Sequence, residues 1–286
     1  MKHFTLLLRD GRTLAWREYG ALTSGYPIIF AHGNLNSSMY QPSWSKTTLQ
    51  TETAKARVIA VDRPGYGNTS PHPDRTYSDF ALDMKELVAH LSIQKFAVVG
   101  YSSGGPHALA CAAARLPGLT SCTLVASDAP YFKLNMVQQV YGVETVTLEN
   151  ARQMAEKNCS EMSNSYASMS KPDRVDIALA DIQHATKQGY VGAASDSVLE
   201  ASESWGFEFE GLGKRTAVSI WHGTDDQDVP LEAGQYLMDR IGGGGSGKCH
   251  ILEGENHTLI RRHWESILTE AVALGDQIPE CGEGKL

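Results

Sequence analysis

The segment 100–104, with the sequence Gly-Tyr-Ser-Ser-Gly, constrains the fold of this chain more than any other feature. It follows an apolar run over 95–99 and precedes an alanine-rich stretch over 106–115 that has the composition of a helix. Glycine on both sides of the serine suits a very tight turn, because larger side chains would collide there. The pattern predicts a strand–turn–helix unit that presents Ser102 at a helix N-terminus, where free N–H groups and the helix dipole favour negative charge.

Short apolar runs alternate with segments of helical periodicity over most of the chain, which is typical of βα units. Strands are expected at 3–9, 13–19, 27–31, 57–61, 96–99, 122–126, 217–221 and 248–252. Helices are expected at 77–91, 106–115, 231–241 and 257–274. We predict an α/β fold with a mainly parallel sheet that is buried on both faces, and an opening hairpin that adds an antiparallel edge.

The strand rhythm stops between 131 and 214, where no convincing buried strand occurs. Stretches such as 137–158 and 171–188 have the pattern of amphipathic helices. We therefore predict a core domain formed by 1–130 and 215–286, with a helical cap inserted at 131–214. The alternative is that these helices are further layers of the sheet domain.

Composition excludes several classes of partner. The formal net charge of −8 and the lack of any Lys/Arg-rich run argue against nucleic acid and anionic membrane surfaces. No run approaches 18 apolar residues, so no membrane span is predicted. The five cysteines contain no C-x-x-C pair, which favours structural thiols and a cytoplasmic location. The glycine-rich run 242–247 is expected to be a flexible connector, without the Lys-Ser/Thr pair of a phosphate-binding loop.

A serine nucleophile needs a base, and the base needs an acid that fixes its tautomer. Three aspartates follow the apolar run that ends at Trp221. We predict Asp226 as the acid, because it lies four residues before the proline that would open the next helix. Asp225 is the alternative, and Asp228 could cap that helix.

The base is predicted to be His257, in a short polar loop at 254–257 that follows the last expected strand. His32 and His222 each follow a strand and precede glycine, so they are expected to support the site or bond the backbone. The negative oxygen of a tetrahedral intermediate also needs N–H donors. We predict the backbone N–H groups of Ser103 and Asn34, with Leu35 as the alternative to Asn34.

Five motifs in this order resemble the α/β-hydrolase superfamily, in particular its esterase-like branch with a helical lid. They lie at 30–34, 62–67, 100–104, 222–230 and 254–257. The resemblance implies an eight-stranded α/β-hydrolase fold and a Ser102–His257–Asp226 triad that works through an acyl-enzyme. It also implies no metal, no organic cofactor and a structural role for the turn at 62–67.

The resemblance implies cleavage of a carboxylic ester, or a related acyl compound, of a small to medium apolar substrate. Carbon–carbon bond hydrolases, cofactor-free perhydrolases and hydroxynitrile lyases share the triad and remain alternatives. A ligand receptor or an idle scaffold on the same fold are alternatives of another class. Tyr131, Phe132 and Trp205 are predicted to line the substrate pocket, although cap-core packing would explain them equally well.

Overall fold

The strands of the chain form one sheet in the computed structural model, which describes residues 2–242 and 247–276. The strands are β1 (Lys2–Leu7), β2 (Thr13–Gly20), β3 (Tyr26–Ala31), β4 (Ala56–Val61), β5 (Phe96–Tyr101), β6 (Leu119–Val125), β7 (Ala217–Gly223) and β8 (Cys249–Leu252). Their spatial order is β1-β2-β4-β3-β5-β6-β7-β8. β2 is antiparallel to both β1 and β4, and the remaining pairs are parallel. The predicted eight-stranded, mainly parallel sheet with flanking helices and an antiparallel edge is confirmed.

Helices cover both faces of this sheet. They are α1 (Thr47–Thr53), α2 (Tyr77–His90), α3 (Gly104–Ala113), α4 (Val137–Tyr141), α5 (Leu148–Ala167), α6 (Pro172–Ala185), α7 (Val191–Glu200), α8 (Leu231–Ile241) and α9 (Ile260–Asp276). α2, α3 and α8 pack on one face, and α1 and α9 pack on the other. Apolar strands such as β5, in which every residue is buried, are what a sheet covered on both sides requires.

The α9 side of the core is held by aromatic packing. Trp264 is fully buried, and its ring meets Phe30 edge-to-face with centroids 5.3 Å apart. Its indole Nε1–H donates to Thr51 Oγ1 at 3.0 Å, so the polar atom of the ring is satisfied. Burying a side chain of this size contributes roughly 1.5–3 kcal/mol to folding. This packing fixes α9, and hence the loop that precedes it, against the sheet.

The segment 131–214, called the cap segment below, leaves the sheet after β6 and returns at β7. It contains α4 to α7, and its described residues contribute no strand to the sheet. A separate apolar cluster joins Ala155, Ile182 and Ala193 of this segment to Leu35 and Tyr66. Because Leu35 and Tyr66 lie in loops after β3 and β4, these helices pack over the carboxyl ends of the strands.

The glycine-rich connector predicted at 242–247 falls mostly on residues 243–246, which lie outside the described part of the chain. Residues 277–286, including Cys281, lie outside it as well.

Candidate active site

Ser102 occupies a sharp turn between β5 and α3, as the sequence pattern predicts. Its φ is 52°, in the left-handed region that non-glycine residues seldom adopt. The turn is held from both sides, because Ser102 N–H donates to the Val125 carbonyl at 3.0 Å and Gly105 N–H donates to the Ser102 carbonyl at 2.8 Å. A strained residue of this kind costs about 1–3 kcal/mol and persists where its surroundings over-determine it.

The two flanking glycines are required by close backbone approach. A Cβ on Gly100 would lie 2.3 Å from the Gly104 carbonyl oxygen, and a Cβ on Gly104 would lie 2.1 Å from the Ala31 carbonyl oxygen. Both distances are far below van der Waals contact, and the obstructing atoms are backbone. Substitution of either glycine would displace the turn or the neighbouring strand β3.

Ser102, His257 and Asp226 are brought together across the carboxyl ends of β5, β7 and β8. His257 Nε2 lies 3.1 Å from Ser102 Oγ, and His257 Nδ1 lies 2.9 Å from Asp226 Oδ2. We assign the tautomer in which Nδ1–H donates to the carboxylate and Nε2 accepts from the serine hydroxyl. Asp226 is buried and fixed by backbone N–H groups of Asp228 at 3.0 Å and Val229 at 2.8 Å. This is the geometry that a serine nucleophile with an oriented base requires.

Burial and charge oppose each other at this pair. Burial alone would lower the pKa of His257, but the hydrogen bond and negative charge of Asp226 outweigh it, so the pKa is raised above 6.5. Burial alone would raise the pKa of Asp226, yet the hydrogen bond and charge of His257 leave it below its ordinary value. The carboxylate therefore stays ionised while the imidazole gains proton affinity.

The other two aspartates of the loop lie in different surroundings. Asp225 is exposed and accepts a hydrogen bond from Thr224 Oγ1 at 3.0 Å. Asp228 is exposed too, and it does not cap the next helix: the N-cap of α8 is Pro230, with no side-chain cap hydrogen bond. The alternative in which Asp228 caps α8 is wrong, because the proline places that helix start beyond its reach.

The histidines predicted to support the site are buried and bonded to the backbone. His32 Nδ1 lies 2.8 Å from the Gly33 carbonyl, and its Nε2 accepts from Arg63 N–H at 3.2 Å. Burial, with the Arg63 charge, lowers the pKa of His32 to about 3, so this ring is neutral at ordinary pH. His222 Nε2 donates to the Val229 carbonyl at 3.0 Å, which holds the loop that carries Asp226.

Several backbone N–H groups near Ser102 are without an acceptor among the described residues, and those of Asn34, Leu35 and Ser103 are among them. The loop approaches the nucleophile closely, since a Cβ on Gly33 would lie 3.1 Å from Ser102 Cβ. Unpaired donors at the start of a helix and in an adjacent loop are suited to a developing oxyanion. The geometry leaves both Asn34 and Leu35 as candidates for the second donor.

Two buried carboxyl groups beside this turn were not found by sequence reasoning. Asp128 follows β6 and accepts from Tyr131 OH, and Glu200 of α7 accepts from Tyr141 OH at 2.5 Å. Burial raises the pKa of both carboxyls, well above the ordinary value for Glu200. Glu200 Oε1 is buried and has no hydrogen-bond partner within the described ranges. An aspartate just after a buried strand was the available signal for Asp128, whereas nothing in the local sequence marks Glu200.

The three aromatic residues predicted to bind substrate lie in different surroundings. Tyr131 is fully buried and bonded to Asp128. Trp205 is 3% exposed and packs against Tyr77, with ring centroids 5.3 Å apart. Phe132 is 46% exposed. Tyr131 and Trp205 belong to the same apolar cluster, of which Phe132 is not a member.

The turn at 62–67, expected to be structural, also joins the core to the cap segment. Arg63 Nη1 donates to Asp196 Oδ2 of α7 at 2.5 Å, and all of the Asp196 side chain is buried. Arg75 forms a second ion pair with Asp196, and Tyr66 OH donates to it at 2.6 Å. Burial would raise the pKa of Asp196, but these cations lower it to about 2. The Tyr66 hydroxyl also lies 3.3 Å from Asn34 Oδ1.

One group of potential metal ligands coincides with the triad. Carboxylate oxygens of Asp226 and Asp228 and a nitrogen of His257 lie within 4.8 Å of one another. Both ring nitrogens of His257 are already engaged, one by Asp226 and one by Ser102. Asp226 and His257 are held together by their own hydrogen bond, and Asp228 lies two residues further along the same loop.

A serine at a strand–helix turn, a histidine after the last strand and an eight-stranded, mainly parallel sheet are features of the α/β hydrolases. A family model described as alpha/beta hydrolase fold matches residues 26–257. The chain belongs to this family, and it is an enzyme of the hydrolase class. Across the residues that the structure describes, no helix combines the length and apolarity needed to cross a membrane.

Relatives and solved structures agree with this assignment. A non-heme haloperoxidase of Rhodococcus erythropolis is 26% identical over 230 residues, which is 78% of this chain and 81% of that protein. An esterase from Exiguobacterium antarcticum superposes with a TM-score of 0.69 at 18% identity, over 96% of this chain and 99% of that one. A bromoperoxidase from Bacillus anthracis superposes with a TM-score of 0.68 at 20% identity, over 97% of this chain and 100% of that one. At these identities the two solved structures show the fold alone.

Proposed function

We propose that the protein hydrolyses a carboxylic ester, or a related acyl compound, of a small to medium apolar substrate through an acyl-enzyme. The observation that carries the proposal is the continuous hydrogen-bonded chain from Ser102 Oγ through His257 to Asp226, beside unpaired backbone N–H groups. We assign Ser103 and Asn34 as the oxyanion donors.

The mechanism follows from the assigned roles. Ser102 Oγ attacks the carbonyl carbon while its proton passes to His257 Nε2, and Asp226 stabilises the resulting imidazolium. The N–H groups of Ser103 and Asn34 hold the negative oxygen of the tetrahedral intermediate. His257 then protonates the leaving alcohol, and the C–O bond breaks. Water, deprotonated by His257, attacks the acyl-enzyme and releases the carboxylic acid and free Ser102.

We assign the core domain to 1–130 and 215–286 and the cap to 131–214, with the substrate entering between them. Tyr131, Phe132 and Trp205 are kept as proposed pocket residues. The packing of α5 to α7 over the carboxyl ends of β3 and β4 supports this division. The acidic net charge is consistent with a small-molecule substrate as the partner, without nucleic acid. A cytoplasmic location is proposed on the buried thiols Cys111, Cys122 and Cys159.

The decisive experiment compares wild type with Ser102→Ala on p-nitrophenyl esters of increasing acyl length. We expect a burst of p-nitrophenol followed by steady turnover in wild type, and loss of both in a variant with an unchanged circular dichroism spectrum. A fluorophosphonate probe is expected to label wild type alone. Undiminished turnover in Ser102→Ala would remove this serine as nucleophile.

Perhydrolysis is the second candidate, because the Rhodococcus erythropolis relative carries the name non-heme haloperoxidase. In this reaction hydrogen peroxide replaces water as the acceptor of the acyl group, and a peroxy acid is released. The same esters assayed with and without hydrogen peroxide separate the two reactions. Formation of peroxy acid that is faster than ester hydrolysis would favour perhydrolysis. A ligand that raises the melting temperature, with no turnover of any ester, would favour a receptor instead.

A further inference from the structure

The loop that carries the proposed oxyanion donor, residues 33–38, has little internal support. We call it the oxyanion loop. Leu35 has a φ of 55°, in the left-handed region. Between residues of this loop, the described backbone hydrogen bonds are limited to Asn36 N–H with the Gly33 carbonyl, at 3.3 Å. A loop of this kind needs external contacts to hold a donor in place.

One side chain of the cap segment supplies three such contacts. Asp181 Oδ1 accepts from the backbone N–H of Ser37 at 3.0 Å and from its hydroxyl at 2.6 Å. Asp181 Oδ2 accepts from Asn36 Nδ2 at 3.0 Å. Asp181 is 2% exposed and lies on α6, about 145 residues away in sequence from the loop it binds. Burial raises the pKa of Asp181 to about 7, although the hydrogen bonds from Ser37 and Asn36 act in the opposite direction.

A second contact from the same helix reinforces the first. His184, three residues after Asp181, places Nε2 3.1 Å from Asp62 Oδ2. The other oxygen of Asp62 accepts from Ser38 N–H at 2.7 Å. One face of α6 thus contacts two further residues of the oxyanion loop. Asp181 binds Ser37 directly, and His184 contacts Asp62, which in turn binds Ser38.

We infer that Asp181 is a positioning residue for catalysis, and that docking of α6 completes the oxyanion hole by fixing the loop that carries Asn34. The inference rests on the proposed function for its catalytic consequence. Asp181 does not touch the reacting atoms; it acts through Asn36 and Ser37. Displacement of a catalytic group by about 1 Å can reduce the rate roughly 100-fold, and loss of one oxyanion donor has an effect of similar size.

Three variants test the inference: Asp181→Ala, Asp181→Asn and the control Asp176→Asn. Asp176 is exposed on the same helix, so its substitution makes the same carboxyl-to-amide replacement away from the loop. We expect Asp181→Ala to lower kcat roughly 10- to 100-fold on the best p-nitrophenyl ester, with KM within about 3-fold. Asp181→Asn keeps one acceptor oxygen, so its kcat should lie between those of Asp181→Ala and wild type. Asp176→Asn should retain wild-type kcat.

Binding of an aryl trifluoromethyl ketone separates positioning from general damage. This inhibitor forms a tetrahedral adduct with the serine, so its inhibition constant should rise by about the same factor as kcat falls. If Asp181→Ala does not fold, Ser37→Ala removes one donor from the opposite side and should lower kcat in the same direction. An unchanged kcat in the folded Asp181 variants would overturn the inference.

Hydrogen exchange gives a readout that does not depend on activity. Amide exchange in peptides that cover 33–40 should be faster in Asp181→Asn than in wild type and unaltered in Asp176→Asn. If wild type hydrolyses no ester, the proposed function fails, while faster exchange still shows that Asp181 holds the loop. If esters are hydrolysed and exchange in the loop is unaltered in Asp181→Asn, the inference fails and the proposed function stands.

Discussion

At His257, two opposing effects set the proton affinity of the proposed base. Burial disfavours the imidazolium, and the adjacent Asp226 carboxylate favours it more strongly, so the pKa lies above 6.5. Since a general base must be neutral to accept a proton, activity should rise as pH passes upward through this raised pKa. Asp226 therefore orients the ring and also determines where the acid limb of the pH profile lies.

We predict that Asp226→Asn moves that acid limb to lower pH. Without the carboxylate, burial remains as the main influence and lowers the histidine pKa. The variant should also lose roughly 1,000- to 10,000-fold in kcat, because the required tautomer is no longer favoured. The measurement is kcat/KM from about pH 5 to pH 9. Asp225→Asn is the control, since Asp225 is exposed; an acid limb that stays in place in Asp226→Asn would contradict the assignment.

At the scale of elements, the order and type of strands could be predicted because the signal is local. The residues 96–99 of β5 are all apolar, and Gly100 and Gly104 flank the turn at Ser102. The predicted ends of β1 at residue 9 and of α2 at residue 91 lie two residues and one residue beyond the observed ends, because Leu8 and Leu91 continue the apolar patterns. The capping of α2 was not predicted, although Thr76 and Asp79 form a capping box with the spacing of that motif.

The capping box gives a prediction about stability. Thr76 Oγ1 accepts from Asp79 N–H at 3.3 Å, and Asp79 Oδ2 accepts from Thr76 N–H at 2.7 Å. Thr76→Ala should lower the free energy of unfolding by about 1 kcal/mol, because an N–H of the first turn loses its acceptor. Urea denaturation measures the change, and Thr76→Ser serves as the control that keeps the hydroxyl. A loss in Thr76→Ser as large as that in Thr76→Ala would show that the hydroxyl is not the cause.

At the scale of the whole molecule, contacts between the cap segment and the core could not be predicted. The Asp181–Asn36 and Asp196–Arg63 pairs are separated by 145 and 133 residues. A single sequence shows no periodicity that links such positions, so their roles depend on how α6 and α7 dock. Ser102, Asp226 and His257 are also far apart, but each follows a strand end, and parallel strands bring those ends to one edge. That shared topology is why the proximity of these three residues could be predicted, whereas the docking residues could not.

The ion pairs of Asp196 predict how strongly the cap segment is held. Asp196→Ala leaves Arg63 and Arg75 buried without their shared carboxylate, which should reduce the free energy of unfolding by about 3–5 kcal/mol. Asp196→Asn retains the shape of the side chain, so its free energy of unfolding should fall by less than that of Asp196→Ala. Urea unfolding at about pH 7 checks this, with the exposed Asp173→Asn as the control. A change below about 1 kcal/mol in Asp196→Ala would mean that these cations find other partners.

The cap segment leaves after β6 and returns at β7, and these two strands are neighbours in the sheet. An insertion whose ends meet on adjacent strands can be exchanged without disturbing the chain path of the remainder. Chimaeras that carry a foreign segment between β6 and β7 should therefore keep the strand order of the sheet. The grafted segment must carry counterparts of Asp181 and Asp196. Without them, the hydrogen-bond donors of Ser37 and Arg63 in the remaining chain would have lost their carboxylate acceptors.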